Sequence, residues 1–327
     1  RSTHLRAGGY VVRTAEELEA VWDAVNNRSD ASQAFHITLE ADIDLESRSW
    51  TPMGTAEKPF HGTVNGNGHT ISNLMVYNSS SVDREIGLLG VTEDAEIRDL
   101  CVTVRSLHGY ANANPYYGGQ NAGALVGRAM GQTRITGCLA VPSASGFGMY
   151  SNACAGGLVG LAVCDAYDMF QMKNSYSTLP VNVEAQYAGG LVGKIDSRGE
   201  KAGAYLELNY GMGTVITSHG KAGGLVGGFS RTGEQDQKLG LYQMAALNPV
   251  IRGERGSGIL VGETPGDEGA VVFGNNRLWR GTSIAEYDCT APDLLMEWDA
   301  KAVSASELYL PENWGFGDGW SIQGGSL

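Results

Sequence analysis

From residue 86 to residue 262 the apolar positions alternate with polar ones over short runs, and Gly, Asn and Ser close each run after a few residues. That is the period of a half-buried strand, not of a helix. Five such runs align: EIRDLCVTV from 96, TRITGCLAV from 133, QMKNSYSTL from 171, AYLELNYGM from 204 and LGLYQMAAL from 239. A glycine-rich string precedes each one. It reads AGGLVG at 155–160, 188–193 and 222–227, AGALVG at 122–127, SGILVG at 257–262 and IGLLG at 86–90.

The closing glycines of these strings, Gly90, Gly127, Gly160, Gly193, Gly227 and Gly262, follow one another at intervals of 37, 33, 33, 34 and 35 residues. Units repeated at such intervals stack, because one unit alone cannot bury its own apolar face. Strands stacked turn upon turn make a parallel β-helix (a solenoid) whose rungs lie about 4.8 Å apart. Leu88, Leu125, Leu158, Leu191, Leu225 and Leu260 then occupy equivalent inward positions, each contributing roughly 1.5–3 kcal/mol when fully buried. The neighbouring glycines serve either a corner with positive φ or a close approach of backbones between coils. They are not a phosphate cradle, since the Lys-Ser/Thr of a P-loop is missing and no helix follows.

The ends break the pattern. RTAEELEAVWDAVNN at 13–27 predicts an amphipathic helix, with Thr14 and Glu17 at capping-box spacing and Leu18, Val21, Trp22 and Val25 as its apolar stripe. It is expected to cover the open end of the first coil, within a capping strand and helix over 10–35. APDLLMEWDAKAVSASEL at 291–308 and WGFGDGWSI at 314–322 leave the period, which predicts an irregular C-terminal cap over 283–327 holding Trp298, Trp314 and Trp320, with Trp279 just before it. The coils between, 36–282, number roughly eight, and the expectation is a single all-β domain.

Composition agrees with many tight turns. Of 327 residues 47 are Gly, against only 9 Pro, and 42% are hydrophobic, which excludes a disordered chain. The net charge of −13 and the absence of Lys/Arg clusters exclude nucleic acid as a partner. No stretch approaches the apolar length of a membrane-spanning helix, so no membrane insertion by this segment is expected. Five cysteines are too sparse for a disulfide scaffold and none shows metal spacing; Cys154 and Cys164, which bracket one AGGLVG copy, are the one pair weighed as a bridge.

Residues 36–76, HITLEADIDLESRSWTPMGTAEKPFHGTVNGNGHTISNLMV, together with the GLVG copies, resemble the GLUG-motif repeat proteins. The likeness runs over about residues 10–262, with NRLWRGT at 276–282 as a fitting end. It implies a right-handed, pectate-lyase-like β-helix and an exported, extracellular location at a bacterial cell surface. Such repeats occur in adhesins and as non-catalytic parts of large surface proteins, some of them immunoglobulin-A-cleaving peptidases. The H-E-x-x-H zinc signature of those peptidases is absent here, so that activity is not carried over. The long first loop and the shortened IGLLG copy depart from the pattern.

Several residues invite chemistry. Asp42 and Asp44 in ADIDL suit either a Ca²⁺ ion, the one cofactor weighed, or local backbone hydrogen bonds beside a turn. Asn65, Asn67 and His69 read as turn residues. Glu96, Arg98, Asp99, Arg105 and His108 form the densest mixed-charge run. Alternation puts Arg98 on the face opposite Asp99 and in line with Thr136 and Lys173, an ordinary solvated column. No catalytic constellation can be assembled from spacing. The most suggestive feature is a pair of long insertions, RSLHGYANANPYYGGQNA at 105–122 and PSASGFGMYSNACA at 142–155, expected to leave one corner of the stack side by side. They bring together Tyr110, Tyr116, Tyr117, Phe147 and Tyr150 with Asn112, Asn114, Gln120 and Asn152. Aromatic faces among amides suit a glycan or a host surface protein. The expected function is a non-enzymatic adhesin or binding module, with Tyr110, Asn112, Asn114, Tyr116, Tyr117, Tyr150 and Asn152 as ligand contacts. A polysaccharide lyase or hydrolase and a structural spacer are the alternatives.

Overall fold

The computed structural model describes residues 9–77, 85–109, 120–233, 236–267, 269–279 and 281–284, and the backbone of 300–303. The chain is a parallel β-solenoid of about six full turns with one short N-terminal helix. Among the described residues, four sheets of fourteen, ten, six and four strands run along it. The six-stranded sheet takes one strand from each glycine-rich string: Glu85–Ile86, Asn121–Ala122, Cys154–Gly156, Tyr187–Gly189, Lys221–Gly223 and Gly256–Gly258. Two shorter rungs precede these turns, built from Phe35–Leu39 with Ile43–Asp44 and from Phe60–Asn65 with Thr70–Tyr77. In the fourteen-stranded sheet the long strand Leu89–Arg98 pairs with both Val126–Met130 and Arg134–Thr136, and Asp94, with φ 53°, marks on it the break that separates two strands in the later turns.

The six leucines form the predicted spine. Leu88, Leu125, Leu158, Leu191, Leu225 and Leu260 are all buried in one core. From Leu125 onward each donates its N–H to the leucine carbonyl of the next turn, at 3.0, 2.9, 2.9 and 3.1 Å. In the shortened first copy the ladder slips by one residue, with Leu88 donating to Ala124 and Leu89 to Leu125.

Of the two roles open to the motif glycines, the structure selects close approach. None of them has positive φ. A Cβ on Gly193 would lie 2.4 Å from the Gly160 carbonyl oxygen, and one on Gly227 2.3 Å from that of Gly193. The last glycine of each string therefore seats one coil directly on the backbone of another.

Positive φ appears instead at the corner between the two largest sheets, at Asp99, Gly137, Asn174, Leu208, Gln243 and Asn275. This corrects the alternation argument at one point. Strand geometry ends at Arg98, and Asp99 turns outward at the corner with φ 50° instead of pointing to the opposite face. Buried amides hold the inside of the same corner. Asn209 accepts from the Ser175 N–H (2.9 Å) and donates to the Met172 carbonyl (2.9 Å). Asn276 repeats this with Met244 and Leu241, both at 2.9 Å. Each satisfies backbone groups that the turn leaves without a ladder partner.

The helix Ala15–Asn27 covers the first rung with Leu18, Val21 and Val25, and Trp22 packs partly buried against the same core. Thr14 accepts from the Glu17 N–H (3.1 Å), while the Glu17 carboxylate takes the N–H of Arg13 (2.8 Å), one residue before the position a capping box predicts. Behind the helix, Arg28 is 5% exposed. Its guanidinium donates to the carbonyls of Val25 (2.6 Å), Ala31 (2.6 Å), Asp30 (3.1 Å), Lys58 (3.3 Å) and Pro59. At the other end Ala300–Val303 adds a rung to the ten-stranded sheet, inside the segment expected to be irregular. Ser283–Ile284, at the start of that segment, also forms a strand, paired with Val250–Gly253, and the remainder, with Trp298, Trp314 and Trp320, lies outside the described residues. Cys154 and Cys164 are free thiols, so the bridge weighed between them is absent.

Candidate functional site

The turn beside Asp42 and Asp44 settles what those carboxylates do. Asp42 accepts from the Thr70 N–H (3.0 Å) and pairs with His69 (3.1 Å); Asp44 accepts from the Glu46 N–H (2.7 Å) and the Asn73 amide (2.9 Å). Those bonds hold both groups below the usual carboxylate range, the Thr70 N–H contributing most at Asp42 and the Asn73 amide most at Asp44. Asp44 thus holds its own turn, as the turn reading expects, whereas the backbone N–H that Asp42 holds is that of Thr70 on the next rung. Asn67 and Gly68 take positive φ there (53° and 79°), with the Asn67 N–H on the Asn65 side chain at 2.9 Å.

The mixed-charge run is split between two sheets. Glu96 pairs with Arg98 (2.9 Å) and Arg134 (3.6 Å) on the fourteen-stranded sheet, and Arg98 stands in register with Thr136 and Lys173 as expected. Arg105 and His108 belong to the strand Cys101–His108 of the ten-stranded sheet. His108 thus leaves the charged column and joins another.

That second column is aromatic. The ladder sets Tyr77 opposite His108, and His108 opposite Tyr150. One rung apart in a parallel sheet is close to stacking distance. The Tyr77 and His108 rings lie 5.1 Å apart at 17°, and those of His108 and Tyr150 5.4 Å apart at 31°. Tyr77 is 59% exposed and ends the column toward solvent. Burial, and next Glu184, push the Tyr150 phenol upward. Strand alternation explains the arrangement: Val76, Leu107 and Met149 share one register and point to the core, so the next residue on each strand points out.

The register exists because of the second insertion. A tight turn, with the Gly146 N–H on the Ser143 carbonyl at 2.9 Å, folds the chain back so that Gly148–Tyr150 pairs with the far half of Cys101–His108. Phe147, expected among the exposed rings, instead packs against the core; it falls on the inward parity with Met149. Asn152 accepts the Gln120 N–H at 2.7 Å, while the Gln120 carbonyl accepts from Ser151 Oγ (2.7 Å) and the Ala153 N–H (3.2 Å). A Cβ on Gly109 would meet the Gln120 side chain at 2.1 Å, so Gly109 and Gln120 touch. The two insertions are thereby pinned together at their bases, beside the aromatic column. Tyr110, Asn112, Asn114, Tyr116 and Tyr117 lie outside the described residues.

Of the expected contacts, then, Tyr150 stands in the column and Asn152 ties its base. Tyr77 was missed, and His108 was noticed for its charge alone. The usable signal was an aromatic directly after an inward apolar residue in three strands: Val76-Tyr77, Leu107-His108 and Met149-Tyr150. Chemically, the column offers ring faces, phenol hydroxyls and a buried imidazole nitrogen, His108 Nδ1, without a hydrogen-bond partner among the described residues.

No family model matches the chain. Over 138 residues, 38% of its length, it is 30% identical to halomucin of Haloquadratum walsbyi. Over 101 residues, 29% of its length, it is 31% identical to a protein of Evansella cellulosilytica described as a "Putative Gly-rich membrane protein". These matches span 1% and 11% of those proteins. A crystal structure described as a "putative immunoglobulin A1 protease" from Bacteroides ovatus superposes with a TM-score of 0.69 over 98% of this chain and 93% of that one, at 19% identity. That likeness is one of fold.

Proposed function

We propose that this solenoid is a non-catalytic binding module of an exported bacterial surface protein, holding a glycan or a host surface protein against the Tyr77–His108–Tyr150 column. The column carries the reading. Three aromatic groups from three rungs gather beside the only two long insertions in the repeat region, on a scaffold whose rungs are otherwise uniform. Rings held by a rigid sheet lose little entropy on binding, and loops on rigid scaffolds are where recognition concentrates. The partial matches to two much larger proteins support a segment that serves as one part of a long chain, and the halomucin match supports an extracellular setting.

The test is a glycan and mucin array with titration calorimetry on any binder. The intact protein is expected to bind, and Tyr77→Ala with Tyr150→Ala to weaken binding at least tenfold while leaving the circular dichroism spectrum unchanged. Turnover of a polysaccharide by the intact protein, or a double variant that loses affinity for none of the ligands bound, overturns the proposal.

A further inference from the structure

A second aromatic feature lies on a different sheet. In the fourteen-stranded sheet the outward positions of Gly203–Glu207 and Lys238–Tyr242 carry Tyr205, Glu207, Gly240 and Tyr242, and the next strand, Val271–Gly274, carries Gly274 in register with Tyr242. The Tyr205 and Tyr242 rings are 5.2 Å apart at 31°. A Cβ on Gly240 would lie 2.7 Å from Tyr242 Cε2, and one on Gly274 2.6 Å from Cδ1. Opposite edges of the ring therefore rest on two glycines, and the ring lies across the sheet instead of standing up from it.

A glycine also lies beneath the ring of Tyr187, with a different outcome. A Cβ on Gly228 would meet the Tyr187 ring at 2.5 Å, but Lys194 covers that ring at 4.5 Å and Glu263 takes its hydroxyl at 2.9 Å. At the Tyr205–Tyr242 pair no described cation covers either ring, and Tyr205 is 40% exposed. Hydrogen-bonding groups border it. The Tyr205 hydroxyl donates to Glu207 (3.2 Å), Glu207 pairs with Lys173 (3.6 Å), and Gln171 is exposed in register with Tyr205.

We propose that Tyr205 and Tyr242 form a platform for a neutral hexopyranose, bound face-on, with Gln171, Lys173 and Glu207 meeting its hydroxyls. A pyranose presents an apolar C–H face ringed by hydroxyls, which matches flat rings with donors and acceptors at their edge. Neutrality follows from charge. Lys173 is already paired with Glu207, and a chain of net charge −13 repels uronates and sialic acids. Gly240 and Gly274 are positioning residues; they let the ring lie flat.

The experiment uses the whole chain, an array of neutral hexose oligosaccharides beside sialylated and uronic counterparts, and tetranitromethane nitration of tyrosines read by mass spectrometry. A neutral oligosaccharide is expected to bind and to protect Tyr205 and Tyr242 from nitration several-fold, while Tyr167, 58% exposed, stays reactive. Tyr205→Ala with Tyr242→Ala should lower affinity at least tenfold, and Gly240→Ala several-fold with both rings still present. Tyr77, 59% exposed, should stay as reactive toward nitration as in the free protein, which separates this site from the column. The footprint needs no variant to fold. Binding to no neutral sugar, equal binding of acidic ones, or protection that spares Tyr205 and Tyr242 overturns the proposal.

Discussion

Replacing Gly193 by alanine tests the close approach on which the stack rests. The new methyl carbon would sit 2.4 Å from the Gly160 carbonyl oxygen and 2.6 Å from the Ala155 nitrogen, where ordinary contact begins at 3.4 Å. Both neighbours are backbone, so no side chain can swing aside; the two turns must part by about 1 Å. Between them run the bonds from the N–H groups of Leu158 (2.9 Å) and Val159 (3.0 Å) to the Leu191 carbonyl, and stretching by that amount breaks both. Two backbone bonds are worth about 1–3 kcal/mol, and the overpacking itself costs about 1–3 kcal/mol. The stiffer unfolded chain returns about 0.4–1 kcal/mol. The net loss is about 1–6 kcal/mol, centred near 3. Gly266→Ala is the control, because a Cβ there meets nothing within 4 Å and its φ is ordinary. Urea unfolding followed by circular dichroism should show a clearly lower midpoint for Gly193→Ala and an unchanged or slightly higher one for Gly266→Ala. Midpoints are the quantity to compare, since repeat arrays do not always unfold in two states. Equal midpoints refute the argument from close approach.

Two further outcomes follow from the first rungs. Arg28→Met should cost about 3 kcal/mol or more, because the carbonyls of Val25, Ala31, Asp30, Lys58 and Pro59 lose a buried donor; the loss should show as early melting of the helix signal in denaturant. Asp42 and Asp44 both titrate below their unfolded value of about 3.9. The stability they add is complete above that pH and disappears as pH falls through their lower folded values. Melting temperatures measured from pH 2 to 7 should therefore separate wild type from Asp42→Asn with Asp44→Asn at neutral pH and converge in acid.

Much was legible in one dimension. The repeat interval and the inward leucines specify a parallel solenoid, since only stacking can bury so short a unit, and Thr14 with its apolar stripe marks the capping helix. Asn65, Asn67 and Gly68 announce their turn because the bonds that make it are local. Those features depend on residues close in sequence or on a regular interval, and both survive without coordinates.

What tertiary structure alone decided is whatever depends on register after an irregularity. The motif glycines could have served φ or approach, and only the distance between rungs distinguishes them. Asp99 leaves its strand because the corner between two sheets falls there, a position that alternation cannot locate. Tyr77, His108 and Tyr150 do not sit at the repeat interval; Tyr77 meets His108 through the shifted register of Thr70–Tyr77 on Cys101–His108, and Tyr150 meets it because the turn at Ser143–Gly146 returns the chain to that strand. Tyr242 lies flat because the glycine in the next turn, Gly274, happens to face it. Insertions shift which residues meet across rungs, and that shift is fixed by backbone pairing in space.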